Sequence, residues 1–266
     1  MIETFPICKI AGIPFHAVTW ADMDLIVSQL MKEPEGRYLT VVNSYSVVVS
    51  QNDVDFFQAL LNSHLILADS IPVVWLSRLI DRPLPERIAG PDLHDFISRL
   101  AEKNGWSVFY LGASPSTLDQ LKANLQKRFP ALNIAGVYSP PMKAEFNDED
   151  TSAMIEAIQR ARPDIVWVGL TAPKQEKWLF RNLKSLRCHL AVGIGAAFEF
   201  TAGTRTRAPR WIQVCGFEWL HRLLHEPRRL WKRYLIGNTI FLLISFREII
   251  QHWIGSLFNF YKNDYS

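Results

Sequence analysis

Residues 108–129 read Val108-Phe-Tyr-Leu-Gly-Ala-Ser-Pro-Ser-Thr-Leu-Asp-Gln-Leu-Lys-Ala-Asn-Leu-Gln-Lys-Arg-Phe129, and this stretch decides the fold class. An unbroken apolar run, Val108–Leu111, predicts a strand buried on both faces. Gly112-Ala113 makes the turn, Ser114 fits an N-cap, and Pro115 fits the first position of a helix that ends before Pro130. Working outward, the same unit recurs. Tyr38–Asn43, Leu65–Ala68, Ile134–Tyr138, Asp164–Leu170 and Leu190–Ile194 read as further strands. Between them lie helical patterns up to Leu61, from Gly90 to the C′ glycine Gly105, over Thr151–Ala161 and over Pro173–Leu186. Nearer the start, a short segment (Ile7–Phe15) precedes a helix opened by a Thr19/Asp22 capping box and running to about Met31. The expected class is α/β: a Rossmann-like, open, mostly parallel sheet with helices on both faces. No internal repeat interrupts the pattern.

The 266 residues are 48% hydrophobic and 21% charged, with a net charge of +3, which excludes a disordered or low-complexity chain. Three scattered cysteines (Cys8, Cys188, Cys215) form no C-x-x-C pair, so neither a disulfide framework nor a structural zinc site is indicated. The start carries no basic segment followed by an apolar one, and no Asn-x-Ser/Thr acceptor occurs. A reducing, cytosolic compartment is expected.

Charge is unevenly spread. Residues 201–238 carry eight Lys/Arg against Glu218 and Glu226, a net of +6 that leaves the rest of the chain at −3. Aromatic and apolar residues (Trp211, Phe217, Trp219, Trp231, Tyr234) interleave with these cations. The apolar run Leu235–Phe246 is about 12 residues long, short of the roughly 20 that a spanning helix needs. Two readings stay open for 205–266: helices lying in a membrane interface, or helices packed on the α/β body. The expected division is a catalytic domain at 1–204 and a basic, aromatic-rich helical appendage at 205–266.

In an open α/β sheet, ligands bind beyond the carboxyl ends of the strands. Polar or glycine-rich turns occupy those ends at Asn43, Asp69-Ser70, Gly112–Ser116, Gly169–Glu176 and Gly193–Ala197. The turn with Gly112 and Ser114 leads into a helix N-terminus suited to phosphate. Asp69 ends an apolar strand and precedes Ile71-Pro-Val-Val-Trp, so it reads as a carboxylate on an apolar cleft, fit for a general base. The alternative is that Asp69 or Ser70 caps the next helix. Asp22-Met-Asp24 and Asp53-Val-Asp55 read as first-turn acids rather than a metal site, and His221/His225 lie among arginines, so no metal or cofactor is expected. P-loop and hydrolase-elbow motifs are absent from the sequence.

Taken together, several stretches resemble the WecG/TagA/CpsF family of bacterial glycosyltransferases. They are Asn43; Leu67-Ala-Asp69-Ser-Ile-Pro-Val-Val-Trp75; Leu84-Pro-Glu-Arg87-Ile-Ala-Gly-Pro-Asp-Leu93; Val168–Trp178; Gly193–Gly203; Arg207–Trp211; and Glu218–Tyr234. The resemblance covers roughly residues 8–240. It implies inverting, metal-independent transfer from a UDP-sugar to a polyprenyl-diphosphate-linked sugar, carried out peripherally at the cytoplasmic face of the inner membrane on an anionic surface. UDP-N-acetylmannosamine and UDP-glucose types both occur in such a family. By the same resemblance Asp69 is the general base and Arg87 contacts diphosphate or acceptor. Gln175 and Asn43 line the nucleotide-sugar pocket, and Arg222, Arg229 and Lys232 hold the departing diphosphate. Three positions depart from the family pattern: Val41 where Thr is frequent, Lys232 where Arg is common, and Glu199 where Asp is frequent. Lys232 therefore offers a point charge instead of a bidentate fork. A homo-oligomer is left open, and no nucleic-acid partner is expected.

Two other classes find less support in the sequence. Gly193-x-Gly195-x-x-Phe198 approaches a dinucleotide fingerprint, but Phe198 replaces the small third residue and no acidic ribose-binding residue follows. A dinucleotide-dependent oxidoreductase therefore lacks its signature. A non-enzymatic membrane- or nucleic-acid-binding module would use Arg222–Arg233 alone, whereas the phosphate-suited turns lie outside that segment.

Overall fold

In the computed structural model, residues 5–80 and 83–263 are described. The chain begins with an antiparallel hairpin, β1 (Ile7–Ile10) and β2 (Ile13–His16), followed by α1 (Trp20–Leu30). The core units are then β3 (Arg37–Val42), α2 (Ser44–Ser50), α3 (Val54–Leu61), β4 (Leu65–Ala68), α4 (Ile71–Leu79), α5 (Gly90–Asn104), β5 (Val108–Gly112) and α6 (Pro115–Arg128). They continue with β6 (Ile134–Tyr138), α7 (Asp148–Ala161), β7 (Ile165–Gly169), α8 (Lys174–Leu186), β8 (Leu190–Gly193) and α9 (Ala197–Ala202). The last part holds α10 (Arg210–Val214), α11 (Glu218–His225), α12 (Pro227–Trp231), a π-helical turn (Lys232–Ile236) and α13 (Gly237–Asn263).

Strands β3 to β8 form one six-stranded sheet in the order β4-β3-β8-β7-β5-β6, every pair parallel. The local signals work as the residue types require. Asp22 accepts from the Thr19 N–H and hydroxyl, both at 2.7 Å. Ser114 accepts from the Thr117 N–H at 3.2 Å, and Gly105 ends α5 with a left-handed φ of 72°. The expected helix up to Leu61 is in fact two, because Asp53 accepts from the Phe56 N–H at 3.0 Å and restarts the helix. Similarly, α7 starts earlier than expected, capped by Asn147.

Alternation along the strands sorts the core. Leu39, Val41, Leu65, Leu67, Val108, Tyr110, Ile165, Trp167, Leu190 and Val192 face one side, where α1, α5, α6 and α9 cover them. Phe109, Leu111, Val166, Val168 and Ala191 face the other side, against Met154 and Ile158 of α7 and Leu179 of α8. Near the β3–β4 edge that second side is covered by the hairpin and α2–α4, and by Phe241 and Ile244 of α13. The last helix thus shares an apolar cluster with Val42, Val47 and Val73.

Because the strands are parallel, their carboxyl ends share one edge, and glycines let backbones crowd there. Gly112 has φ 128°, and a Cβ on it would lie 2.6 Å from the Gly169 carbonyl oxygen. Neither the conformation nor the contact admits a side chain. Gly112→Ala is therefore expected to lower unfolding free energy by about 2 kcal/mol or more, read from urea denaturation; an unchanged midpoint would contradict this.

Candidate active site

A cleft opens at the carboxyl ends of β3, β4, β7 and β8, roofed by residues of α11 and the π-helical turn. It encloses about 1080 Å³ of empty space, the open mouth included. Asn43, Asp69, Arg87, Gln175, Gly195 and Arg222 line it, so the strand-end turns, the Leu84–Leu93 stretch and α11 converge on one place.

Asp69 follows β4 directly. Its N–H donates to the Val42 carbonyl at 3.0 Å, and Ile88 N–H donates to the Ala68 carbonyl at 2.9 Å. The second bond draws the loop carrying Arg87 alongside the strand end. Asp69 Oδ1 accepts from the Gly90 N–H at 3.0 Å, and Oδ2 from Asn43 Nδ2 at 3.4 Å. Its carboxyl is displaced above the usual carboxylate range, chiefly because protein has replaced water around it. The Arg87 charge, the Gly90 N–H and the Asn43 amide oppose that displacement, while Glu218 reinforces it. Neither Asp69 nor Ser70 caps α4 by its side chain; the Ser70 hydroxyl accepts from the Ser44 N–H at 3.1 Å instead. Asn43 has two duties, since its Oδ1 caps α2 through the Ser46 N–H at 3.1 Å.

Arg87 is tied to the helical roof. Its Nη1 lies 3.2 Å from Glu218 Oε2, and its Nη2 donates to Gln213 at 3.5 Å. Beside it Arg207 grips Asp92 with two bonds of 2.6 and 2.7 Å, the bidentate geometry that makes such pairs strong. Sequence reasoning placed neither Glu218 nor Arg207 in the site. Both stood in quoted motifs, but only the packing of α11 against the Arg87 loop shows what they meet.

Gln175 is buried beneath the cleft with its amide fully oriented. Oε1 accepts from the Gly195 N–H at 3.0 Å, and Nε2 donates to Glu176 Oε1 at 2.8 Å. Gly193 lies under this amide, where a Cβ would come within 3.2 Å of it; it is part of the support and does not line the cleft. Burial pushes the Glu176 carboxyl up to about 7, and its Oε2 has no hydrogen-bond partner.

Four other expected residues stand outside the cleft lining. Gly112 is packed on the Gly169 backbone, and Ser114 spends its hydroxyl capping α6. Arg229 pairs with Glu226 at 2.6 Å on the surface, and Lys232 rests over the Trp231 ring at 5.5 Å. The reason for the last two is helical phase. Leu230, Tyr234 and Phe241 are buried and mark the inward stripe, and Lys232, two residues past Leu230, points away from it. Arg233, next to Lys232, lines the cleft. The D-x-D acids are spent on helix starts: Asp53 pairs with Lys177 at 2.6 Å and Asp55 with Arg181 at 2.8 Å. Phe198 of the partial glycine fingerprint is a core residue against Gly169 and Tyr110.

An open parallel α/β sheet binds its ligands beyond the strand ends, and a carboxylate and arginines there can handle a proton and stabilise developing negative charge. The chain belongs to the glycosyl transferase WecG/TagA/CpsF family, whose model matches residues 8–254, and it is a glycosyltransferase. Among its relatives is the N-acetylglucosaminyldiphosphoundecaprenol N-acetyl-beta-D-mannosaminyltransferase of Bacillus subtilis, 31% identical over 80% of both chains. Proteins of the same name from Bacillus spizizenii (30% identical, covering 84% of this chain and 86% of the relative) and Staphylococcus aureus (26%, covering 83% and 85%) are similar too.

The Glu176 carboxyl yields a stability prediction. The folded chain holds its proton up to pH of about 7, whereas the unfolded chain releases it near 4.5. Stability associated with this group is thus full below pH 4.5 and is lost as pH rises to 7, by about 3 kcal/mol. Glu176→Gln should flatten that decline relative to the parent in urea melts from pH 4.5 to 7.5. Parallel curves for the two proteins would contradict it.

Proposed function

We propose that this chain transfers a sugar from a UDP-sugar to a polyprenyl-diphosphate-linked sugar with inversion at the anomeric carbon, and that Asp69 is its general base. The observation that carries the reading is Asp69 itself: a desolvated carboxylate aimed into a cleft that also holds Arg87, Arg222 and Arg233. The relatives' names support the acceptor class, since they describe transfer to N-acetylglucosaminyldiphosphoundecaprenol.

In this mechanism the acceptor hydroxyl gives its proton to the Asp69 carboxylate as its oxygen bonds to the anomeric carbon. The bond from that carbon to the diphosphate oxygen breaks, and the electron pair leaves with UDP. Loss of water raises the basicity of Asp69, while the Gly90 N–H and Asn43 amide hold its oxygens in place. Arginines facing the departing diphosphate stabilise the charge as it develops. Gln175 serves from beneath, holding the Gly195 backbone that forms the floor.

Access to a lipid-borne acceptor falls to residues 205–266, which we treat as the membrane-facing unit of the enzyme at the cytoplasmic face. Leu242, Phe246, Ile250 and Trp253 line one face of α13 at spacings of four, four and three, all exposed. Trp211, Phe217 and Leu224 are exposed nearby in sequence on α10, α11 and their junction. Among the described residues no helix is long and apolar enough to cross a membrane, so the geometry suits lying on a bilayer. The combined substitution Leu242→Ser, Phe246→Ser and Trp253→Ser should weaken binding to anionic vesicles about tenfold or more in sedimentation assays. Undiminished binding would remove this face from the interface.

Asp69→Asn should lower turnover about 100-fold or more while UDP affinity, measured by calorimetry, stays within a few-fold. In the parent, turnover should fall with falling pH as Asp69 takes up a proton, and that limb should lie above the ordinary carboxylate range. Arg87→Met removes a charge that favours the ionised form, so it should move the limb to higher pH. A limb that stays in place would reassign the titrating group.

A further inference from the structure

Glu176 is an acid without a cation. The residue is 1% exposed, and its Oε2 has no hydrogen-bond partner. Among the described residues no Lys or Arg nitrogen lies within 4.0 Å of its carboxyl. Basic neighbours on α8 are engaged elsewhere: Lys177 pairs with Asp53, Arg181 with Asp55, and Lys174 donates to the Lys143 carbonyl. Burying a carboxyl in this way costs free energy that an apolar side chain of similar size would not. What the carboxyl does hold is Gln175, whose Nε2 donates to Glu176 Oε1 at 2.8 Å.

That bond selects the orientation of the Gln175 amide. A primary amide has a donor end and an acceptor end, whereas an ionised carboxylate only accepts. With Nε2 turned to Glu176, Oε1 meets the Gly195 N–H at 3.0 Å. Half a turn of the amide would set carbonyl against carboxylate and NH2 against the Gly195 N–H, losing both bonds. The Gln175 N–H donates to the Thr171 carbonyl at 3.2 Å, and Thr171 and Gly195 both hold left-handed φ values, 68° and 53°. For the β-branched Thr171 this conformation is strained, and it persists only where its surroundings fix it. Thr171, Gln175 and Gly195 line the cleft, whereas Glu176 does not. Glu176 therefore reaches the cleft through Gln175.

We propose that Glu176 is a positioning residue of this cleft: its carboxyl fixes the Gln175 amide, and through it the Gly195 N–H and the turn from β8 to α9, against the bound donor. The inference rests on the UDP-sugar reading for the ligand and on the bonds above for the residue. It gives a reason for an acid where an apolar side chain would cost less.

The test compares the parent with Glu176→Met, Glu176→Gln, Gln175→Leu and the Gln175→Leu, Glu176→Met double variant. Calorimetry with UDP is run at pH 7.5, above the value of about 7 to which burial pushes the Glu176 carboxyl. Glu176→Met should weaken UDP about tenfold, roughly what one lost buried hydrogen bond costs. Glu176→Gln, which can still accept from Nε2, should lose less than about threefold. In the Gln175→Leu background Glu176→Met should change UDP affinity by no more than about twofold, because the amide it acts through is gone. Glu176→Met should also melt at or above the parent at this pH, which a packing role would not produce. With 15N-glycine labelling, the Gly195 amide signal should shift in Glu176→Met and return toward its parent position in Glu176→Gln. Parent-like UDP affinity in Glu176→Met, or an equal loss in both backgrounds, would overturn the proposal. So would failure of both Glu176→Met and Glu176→Leu to fold, which would make the residue structural. If the Gly195 signal shifts as expected but the parent does not bind UDP, the positioning role stands and the donor reading falls. If the parent binds UDP and the Gly195 signal stays in place, the donor reading stands and the proposal falls.

Discussion

The structure turns on the opposition between desolvation and charge at Asp69. Removing water from a carboxylate costs free energy that must be recovered from fixed partners, and here the partners come from three separate parts of the chain. The Gly90 N–H belongs to the start of α5, the Asn43 amide to the start of α2, and the Arg87 charge to the loop between α4 and α5. The parallel sheet makes this possible, because it delivers β3 and β4 to the same edge with their carboxyl ends in register. A carboxylate held this way is ready to accept a proton and is fixed in direction, which is what general-base catalysis asks of it.

The helical end of the chain adds the opposite charge. Glu218 and Gln213 engage Arg87, and Arg205 bridges Glu199 and Glu226. These contacts fasten the roof to the body through pairs that are already satisfied. Arg222 and Arg233, which line the same cleft as Asp69, make no ion pair within 4.0 Å among the described residues. A carboxylate and cations in one cleft suit the proposed displacement, in which a proton would be taken up and a charged group would depart.

Much of the sheet was legible in the chain, since buried parallel strands advertise themselves as unbroken apolar runs ended by glycine or a polar residue. Val108–Leu111 and Leu65–Ala68 are strands at the residues expected, and Asp69 stands at the strand end where its position implied. The choice among strand-end turns was not legible. Gly112-Ala-Ser-Pro looks as fit for phosphate as any other turn, yet the roof covers the β3, β4 and β8 ends and leaves that turn to one side. The tail was harder still. Arg229, Lys232 and Arg233 are nearly contiguous, and which of them faces the cleft depends on the phase of a helix that includes a π-helical turn. A register of that kind follows from packing of Leu230, Tyr234 and Gly237 on the body, and composition does not record it.

The sharpest measurement is the anomeric configuration of the product, read from the coupling constants of the new glycosidic linkage by NMR. With Asp69 acting as a base on the acceptor hydroxyl, one displacement occurs and an α-linked UDP-sugar must yield a β-linked product. Retention of the α configuration would mean two displacements or front-side attack, and would contradict the role given to Asp69.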